Sequence, residues 1–217
     1  MRKGLFITLE GPDGCGKSTQ AVLLSEHLKK GGHQVVLTRE PGGTPLAEEI
    51  RRVILTPDKE VLDPLAETLL YTAARVQHVT TVIRPALEAG KIVLCERFID
   101  STLAYQGYGL GRDLELIRKL NQMAVGSLQP DLTVLFDLEV LLCSERVLQR
   151  NLGKQSLSDR IEARGSGFQE KVRQGFLELA KNEPRFSIIE VTEKSIAKIQ
   201  RELLKVVESK LGEINLV

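Results

Sequence analysis

Apolar residues in this chain come in two rhythms, short unbroken runs and longer stretches in which they return every three or four positions. The runs Leu5-Phe-Ile-Thr-Leu9, Gln34-Val-Val-Leu-Thr38, Lys91-Ile-Val-Leu-Cys95, Leu132-Thr-Val-Leu-Phe136 and Phe186-Ser-Ile-Ile-Glu-Val191 predict five buried strands. Between them, helical spacing covers 17–29, 47–55, 65–89 (with Pro85 near its end), 114–125, 141–150, 175–181 and 195–211. Strands that alternate with helices, each an apolar run, predict an α/β chain with a five-stranded parallel sheet covered on both faces. The loop Arg39-Glu-Pro-Gly-Gly43 and a Gly-rich connection around Tyr105-Gln106 break the pattern. The least apolar segment, 151–167, carries Lys154, Arg160 and Arg164 among scattered Gly and Ser and reads as an exposed connection. No internal repeat or second domain is visible, so residues 1–217 are expected to form one unit.

The first strand runs straight into Gly11-Pro-Asp-Gly-Cys-Gly-Lys-Ser-Thr19, and a helix follows. This fits G-x-x-x-x-G-K-[ST], and strand before and helix after are the context that pattern requires. Glycines at 11, 14 and 16 permit backbone angles that turn successive N–H groups inward as a phosphate cradle. The helix start adds unpaired N–H groups and a favourable dipole for an anion. Lys17 supplies charge for β- and γ-phosphates, and Ser18 a hydroxyl for Mg²⁺.

A net charge of +1 over 217 residues gives no global field for nucleic acid or an anionic membrane. No apolar run approaches the roughly 20 residues needed to span a bilayer. Cys15, Cys95 and Cys143 are scattered, without metal-ligand or disulfide spacing, which suits a reducing cytoplasm.

In a parallel sheet, ligands sit beyond the carboxyl ends of the strands, and polar residues collect there: Asp13, Arg39, Glu96, Arg97 and Asp137. Glu96 and Asp137 each follow an apolar run, so either could be the carboxylate that holds Mg²⁺, directly or through water. The variable P-loop positions include no base, so further positive charge for phosphoryl transfer must come from elsewhere. The stretch from Arg150 to Arg164 is the source expected, as a lid over the nucleotide spanning about residues 150–166. Tyr71 and Arg75, four apart on one helix, share a face, and with Tyr105 and Gln106 they could form a nucleoside pocket.

Together, Leu9-Glu-Gly-Pro-Asp-Gly-Cys-Gly-Lys-Ser-Thr19, Thr38-Arg-Glu-Pro-Gly-Gly43, Tyr71-Thr-Ala-Ala-Arg75, Glu96-Arg-Phe-Ile-Asp-Ser-Thr-Leu-Ala-Tyr-Gln-Gly107 and Asp159-Arg-Ile-Glu162 resemble the motifs of bacterial thymidylate kinases. The resemblance implies transfer of the ATP γ-phosphate to dTMP with Mg²⁺, giving dTDP on the route to dTTP, in a homodimer. It implies that Gly11, Asp13, Gly14, Cys15, Gly16, Lys17, Ser18 and Thr19 hold the ATP phosphates, and that Ser18 and Glu96 hold Mg²⁺. Tyr71 would stack on thymine and Arg75 would bond its O4; Thr102 and Gln106 would meet the base edge, and Tyr105 would crowd the sugar. Asp13 would hold the 3′-hydroxyl, while Arg39, Arg51 and Arg97 would surround the monophosphate. Lys17, Arg97 and a lid arginine, Arg150 or Arg160, would act at the transferred phosphate. The chain departs from the family pattern at Glu96, where Asp is usual, and at Tyr71, where Phe is usual.

A kinase for another nucleotide, and a nucleotide-dependent switch, are the competing readings. Against the switch, the chain has no N-K-x-D guanine-reading motif.

Overall fold

The computed structural model describes residues 4–57, 61–154 and 158–215. Strands β1 (Phe6–Glu10), β2 (Val35–Arg39), β3 (Ile92–Glu96), β4 (Leu132–Asp137) and β5 (Phe186–Glu190) form one sheet in the order β2-β3-β1-β4-β5. Every pairing is parallel, with Leu9 opposite both Glu96 and Val134. The three central strands are buried on both faces, which is why they read as unbroken apolar runs. The order steps to opposite sides after β1, so the P-loop that follows β1 sits at the crevice where ligands bind in open α/β sheets.

Helices α1 (Lys17–Lys30), α2 (Pro45–Leu55), α3 (Pro64–His78), α4 (Arg84–Glu88), α5 (Ile99–Thr102), α6 (Leu114–Val125), α7 (Val140–Lys154), α8 (Ser166–Asn182) and α9 (Ile196–Asn215) surround the sheet. One core cluster joins α1 and α9 to the sheet through Leu24, Leu28, Leu203 and Val207. A second, through Phe6, Val79, Ile83 and Phe98, covers the opposite face. Side-chain caps start the helices that shape the site. Thr44 Oγ1 accepts from Ala47 N at 3.1 Å and Asp63 Oδ1 from Leu65 N at 2.7 Å, each with Pro at the first helical position.

Three expectations need correction. The helical stretch 65–89 is broken by a π-helical turn at Val79–Ile83. Pro85 has no N–H for the carbonyl four residues back, and the wider turn absorbs the mismatch, Arg84 N–H bonding Val79 O. The Gly-rich region around Tyr105 is helix rather than loop, since α5 continues as a π-helical segment over Leu103–Gly109. Its glycines serve close packing: a Cβ on Gly109 would lie 2.6 Å from the Phe168 ring. The exposed segment 151–167 is shorter than expected, because α7 runs to Lys154 and α8 begins at Ser166. Part of the expected lid, residues 155–157, lies outside the described residues.

Candidate functional site

β1 ends at Glu10 and α1 begins at Lys17, so the intervening loop must reverse the chain within a few residues. Gly11 (φ 137°), Gly14 (φ 87°) and Gly16 (φ 100°) take left-handed angles to do so. Space excludes side chains as well: a Cβ on Gly11 would sit 2.4 Å from Phe136 O, and one on Gly14 2.5 Å from Cys143 O. Lys17, nearly buried, donates from Nζ to Pro12 O at 2.8 Å and Gly11 O at 3.1 Å. Cys15 is buried behind the cradle, where Lys17 Nζ reaches its Sγ at 3.6 Å.

In front of the loop lies a cleft of about 640 Å³ lined by Asp13, Gly14, Gly16, Lys17, Ser18 and Thr19 on one side. Arg39, Arg51, Arg97, Arg146 and Arg150 line the rest, with Glu40, Glu96, Asn151, Asp159 and Glu162. So many cations around one cavity suit a polyanion. Ser18 Oγ donates to Glu96 Oε2 at 2.7 Å. This hydroxyl–carboxylate pair fits Mg²⁺, which takes one or two protein oxygens and completes its shell with phosphates and water. Among the described residues no three His, Cys, Asp or Glu converge as a metal cage. Asp137, the rival carboxylate, does not line the cleft; Arg173 grips it from Nε at 2.7 Å and Nη2 at 2.9 Å. It is held in an ion pair with α8.

Arg97 follows β3 with φ 67°, a left-handed angle that costs a non-glycine residue of order 1–3 kcal/mol and so marks a constrained position. Its N–H is held by Leu9 O at 3.0 Å, and its guanidinium bonds Gly11 O and Ser101 Oγ, each at 3.1 Å. It also donates to Asp13 Oδ1 at 2.7 Å and Tyr105 Oη at 3.1 Å, and Tyr105 Oη donates to Asp13 Oδ2 at 3.0 Å. Burial alone would raise the Asp13 pKa. The charges of Arg97 and Lys17 and the Tyr105 hydrogen bond outweigh it and hold the carboxyl down at about 2.

Beyond Arg97 a second pocket opens, lined by Tyr71, Arg75, Thr102, Tyr105 and Gln106 and sharing Asp13, Arg51 and Arg97 with the cleft. Arg75, a charged residue on a helix, is 2 % exposed. Its Nε bonds Glu40 at 2.7 Å, Nη1 bonds Asn121 at 2.7 Å and Nη2 bonds Phe98 O at 2.9 Å. His78 braces Glu40 at 3.1 Å and Thr38 at 2.7 Å. A guanidinium has five N–H groups, so two remain for the pocket. Thr102 Oγ1 is buried with no hydrogen-bond partner, a group that calls for a ligand. Burial, then the nearby Glu67 charge, push the Tyr71 phenol well up, so its ring faces the pocket uncharged.

The arginines of the charged stretch at 150–164 take three different partners. Arg150 lines the cleft and pairs with Glu162. Arg160 turns to the end of α2, bonding Thr56 O at 2.8 Å, and is not among the cleft residues. Arg164 reaches Glu67 in α3. Of the predicted phosphate groups, Arg39 is ion-paired with Glu48 at 3.2 Å, and Arg51 donates to Pro41 O at 3.0 Å beside the cis Glu40–Pro41 bond.

The family model for thymidylate kinase matches residues 9–203. The chain belongs to the thymidylate kinase family. It is 50 % identical over 203 residues to the thymidylate kinase of Exiguobacterium sibiricum, covering 93 % of both chains. Against that of Pseudomonas fluorescens it is 50 % identical over 200 residues, covering 92 % of this chain and 93 % of the relative. The crystal structure of thymidylate kinase from Ehrlichia chaffeensis superposes with a TM-score of 0.74 at 39 % identity, covering 94 % and 98 % of the two chains. The protein is therefore a dTMP kinase that forms dTDP, with ATP as phosphate donor. No described helix of this kinase is long and apolar enough to cross a membrane.

Sequence reasoning missed Glu40, Glu67, Ser101, Arg146 and Asn151. Glu40 and Ser101 lay inside quoted motifs and could have been flagged. Glu67 carries no local signal, because its partners Gln106 and Arg164 are 39 and 97 positions away, and Arg146 and Asn151 become cleft residues only through the placement of α7.

Proposed function

We propose that the two adjoining cavities divide the substrates, ATP phosphates in the P-loop cleft and dTMP in the inner pocket, with transfer at their junction. The observation that carries this is the sharing of Asp13, Arg51 and Arg97 by both cavities. On this reading Tyr71 stacks on thymine, Arg75, Thr102 and Gln106 meet its edge, Tyr105 crowds the sugar and Asp13 accepts from the 3′-hydroxyl. Arg39, Arg51 and Arg97 neutralise the monophosphate, which is already largely a dianion at neutral pH, so no general base is needed.

A dTMP phosphate oxygen bonds to the γ-phosphorus as the bond from that phosphorus to the β–γ bridging oxygen breaks, and ADP leaves. Lys17 and the loop N–H groups take up charge as it shifts toward ADP, while Arg97 and a lid arginine hold the migrating group in line. Ser18 and Glu96 are the groups to hold Mg²⁺, which when bound screens the β- and γ-phosphate charge.

Position favours Arg150 over Arg160 as the lid arginine, since only Arg150 lines the cleft. Arg150→Met is expected to lower kcat by about 10²-fold or more. Arg160→Met should leave kcat near wild type, and the opposite ranking in an ADP-release assay would refute this placement.

The chain works as one kinase unit with its lid at about residues 150–166, in a reducing cytoplasm that keeps its three buried, free cysteines as thiols. It forms a homodimer through the apolar stripes exposed on α3 (Leu65, Leu69, Val76) and the adjoining α6 (Leu116, Met123). Light scattering that gave the mass of a single chain would count against the dimer.

A further inference from the structure

Glu67 lies one turn before Tyr71 in α3 and is wholly buried. Two side chains converge on it. Gln106 Nε2 donates to Oε1 at 2.8 Å, Arg164 Nη1 donates to Oε1 at 3.1 Å, and Arg164 Nη2 donates to Oε2. Arg164 is itself fixed over the Phe168 ring, 5.1 Å from its centroid. Neither residue belongs to the phosphate machinery.

A carboxylate accepts hydrogen bonds and donates none. It therefore decides which end of the Gln106 amide faces it, and the nitrogen is committed to Glu67. The Gln106 oxygen is left for the pocket that Gln106 lines with Arg75 and Thr102. The inner pocket thus presents an acceptor from Gln106 beside the two spare donors of Arg75. A pyrimidine with a ring N–H next to a carbonyl, as in thymine, matches that order. Cytosine offers the reverse, a bare ring nitrogen next to an amino group.

We infer that Glu67, held by Arg164, is a specificity-determining positioning residue: it orients the Gln106 amide so that the pocket accepts a thymine edge and rejects a cytosine edge. The inference rests on the reading of the inner pocket as the base site.

The test is Glu67→Leu, which keeps a similar volume and removes both acceptor oxygens. Gln106 Nε2 then has no carboxylate to hold it, and either end of the amide is free to face the pocket. Steady-state kcat/KM is measured for dTMP and for dCMP with wild type, Glu67→Leu and Gln106→Ala.

In Glu67→Leu the preference for dTMP over dCMP is expected to fall by about 10-fold or more, through a loss with dTMP and a gain with dCMP. A merely structural role would depress both substrates together, and a ratio within about twofold of wild type would overturn the inference. Gln106→Ala separates the two levels. If that variant handles dTMP normally, the base-pocket reading itself is wrong; if it weakens dTMP while Glu67→Leu keeps the ratio, only the role of Glu67 falls. Should Glu67→Leu not fold, amide-labelled wild type decides by NMR. The Gln106 side-chain N–H protons are expected to be protected from solvent exchange, and exchange at the free-amide rate overturns the inference.

Discussion

Asp13 lines both cavities and is bonded to Arg97 and Tyr105, and Asp13→Asn separates charge from shape. The carboxyl is held down at about 2, against an ordinary value of 3.8, because Arg97 and Lys17 together outweigh its burial. A shift of just under two units corresponds to roughly 2 kcal/mol. The side chain stays 29 % exposed, so solvent screening trims this to about 1–2 kcal/mol. A depressed folded-state pKa contributes stability that is fully present above 3.8 and is lost as pH falls through about 2. Urea unfolding should therefore show Asp13→Asn weaker than wild type by about 1–2 kcal/mol, equally at pH 7 and pH 5. The carboxyl ¹³C shift of Asp13 should titrate well below 3.8. A midpoint at or above that value, or a variant as stable as wild type, would refute the electrostatic account of this site. The variant should also raise the KM for dTMP, since the neutral amide is a weaker acceptor and anchors Arg97 less firmly.

Two further outcomes follow from Glu10 and Gly14. Glu10 is fully buried, and its pKa is pushed up to about 7, first by burial and then by the Asp100 charge. Its contribution is therefore favourable below the ordinary 4.5 and is lost as pH rises through about 7. Glu10→Gln, which can keep the bond from Phe98 N–H, should melt higher than wild type at pH 8 and close to it at pH 4.5; a constant difference across that range would show that charge is not the cause. Gly14→Ala combines φ 87° with a Cβ only 2.5 Å from Cys143 O. Thermal melts should register a loss of at least about 1–3 kcal/mol, together with a raised KM for ATP, and a fully stable variant would mean that the loop relaxes freely.

The phosphate cradle was legible because its physics is local. Within nine residues the chain must leave a buried strand, reverse through left-handed glycines and enter a helix, and few residue types allow each step. The central strands were legible because burial on both faces forces every position apolar. The Gly-rich segment at 103–109 was read as a loop because glycine signals backbone freedom in a sequence, whereas here the missing side chains make room for Leu114 and Phe168.

The sequence determined the glycine-rich P-loop between the first strand and the first helix, and its motifs pointed to a nucleoside pocket nearby. Only the tertiary structure decided between like residues. Glu96 rather than Asp137 meets Ser18, Arg150 rather than Arg160 lines the cleft, and Arg164 locks Glu67. A charge acquires its role from the partner the fold brings within about 3 Å. The pairs 18–96 and 67–164 are joined across 78 and 97 positions that no local pattern connects.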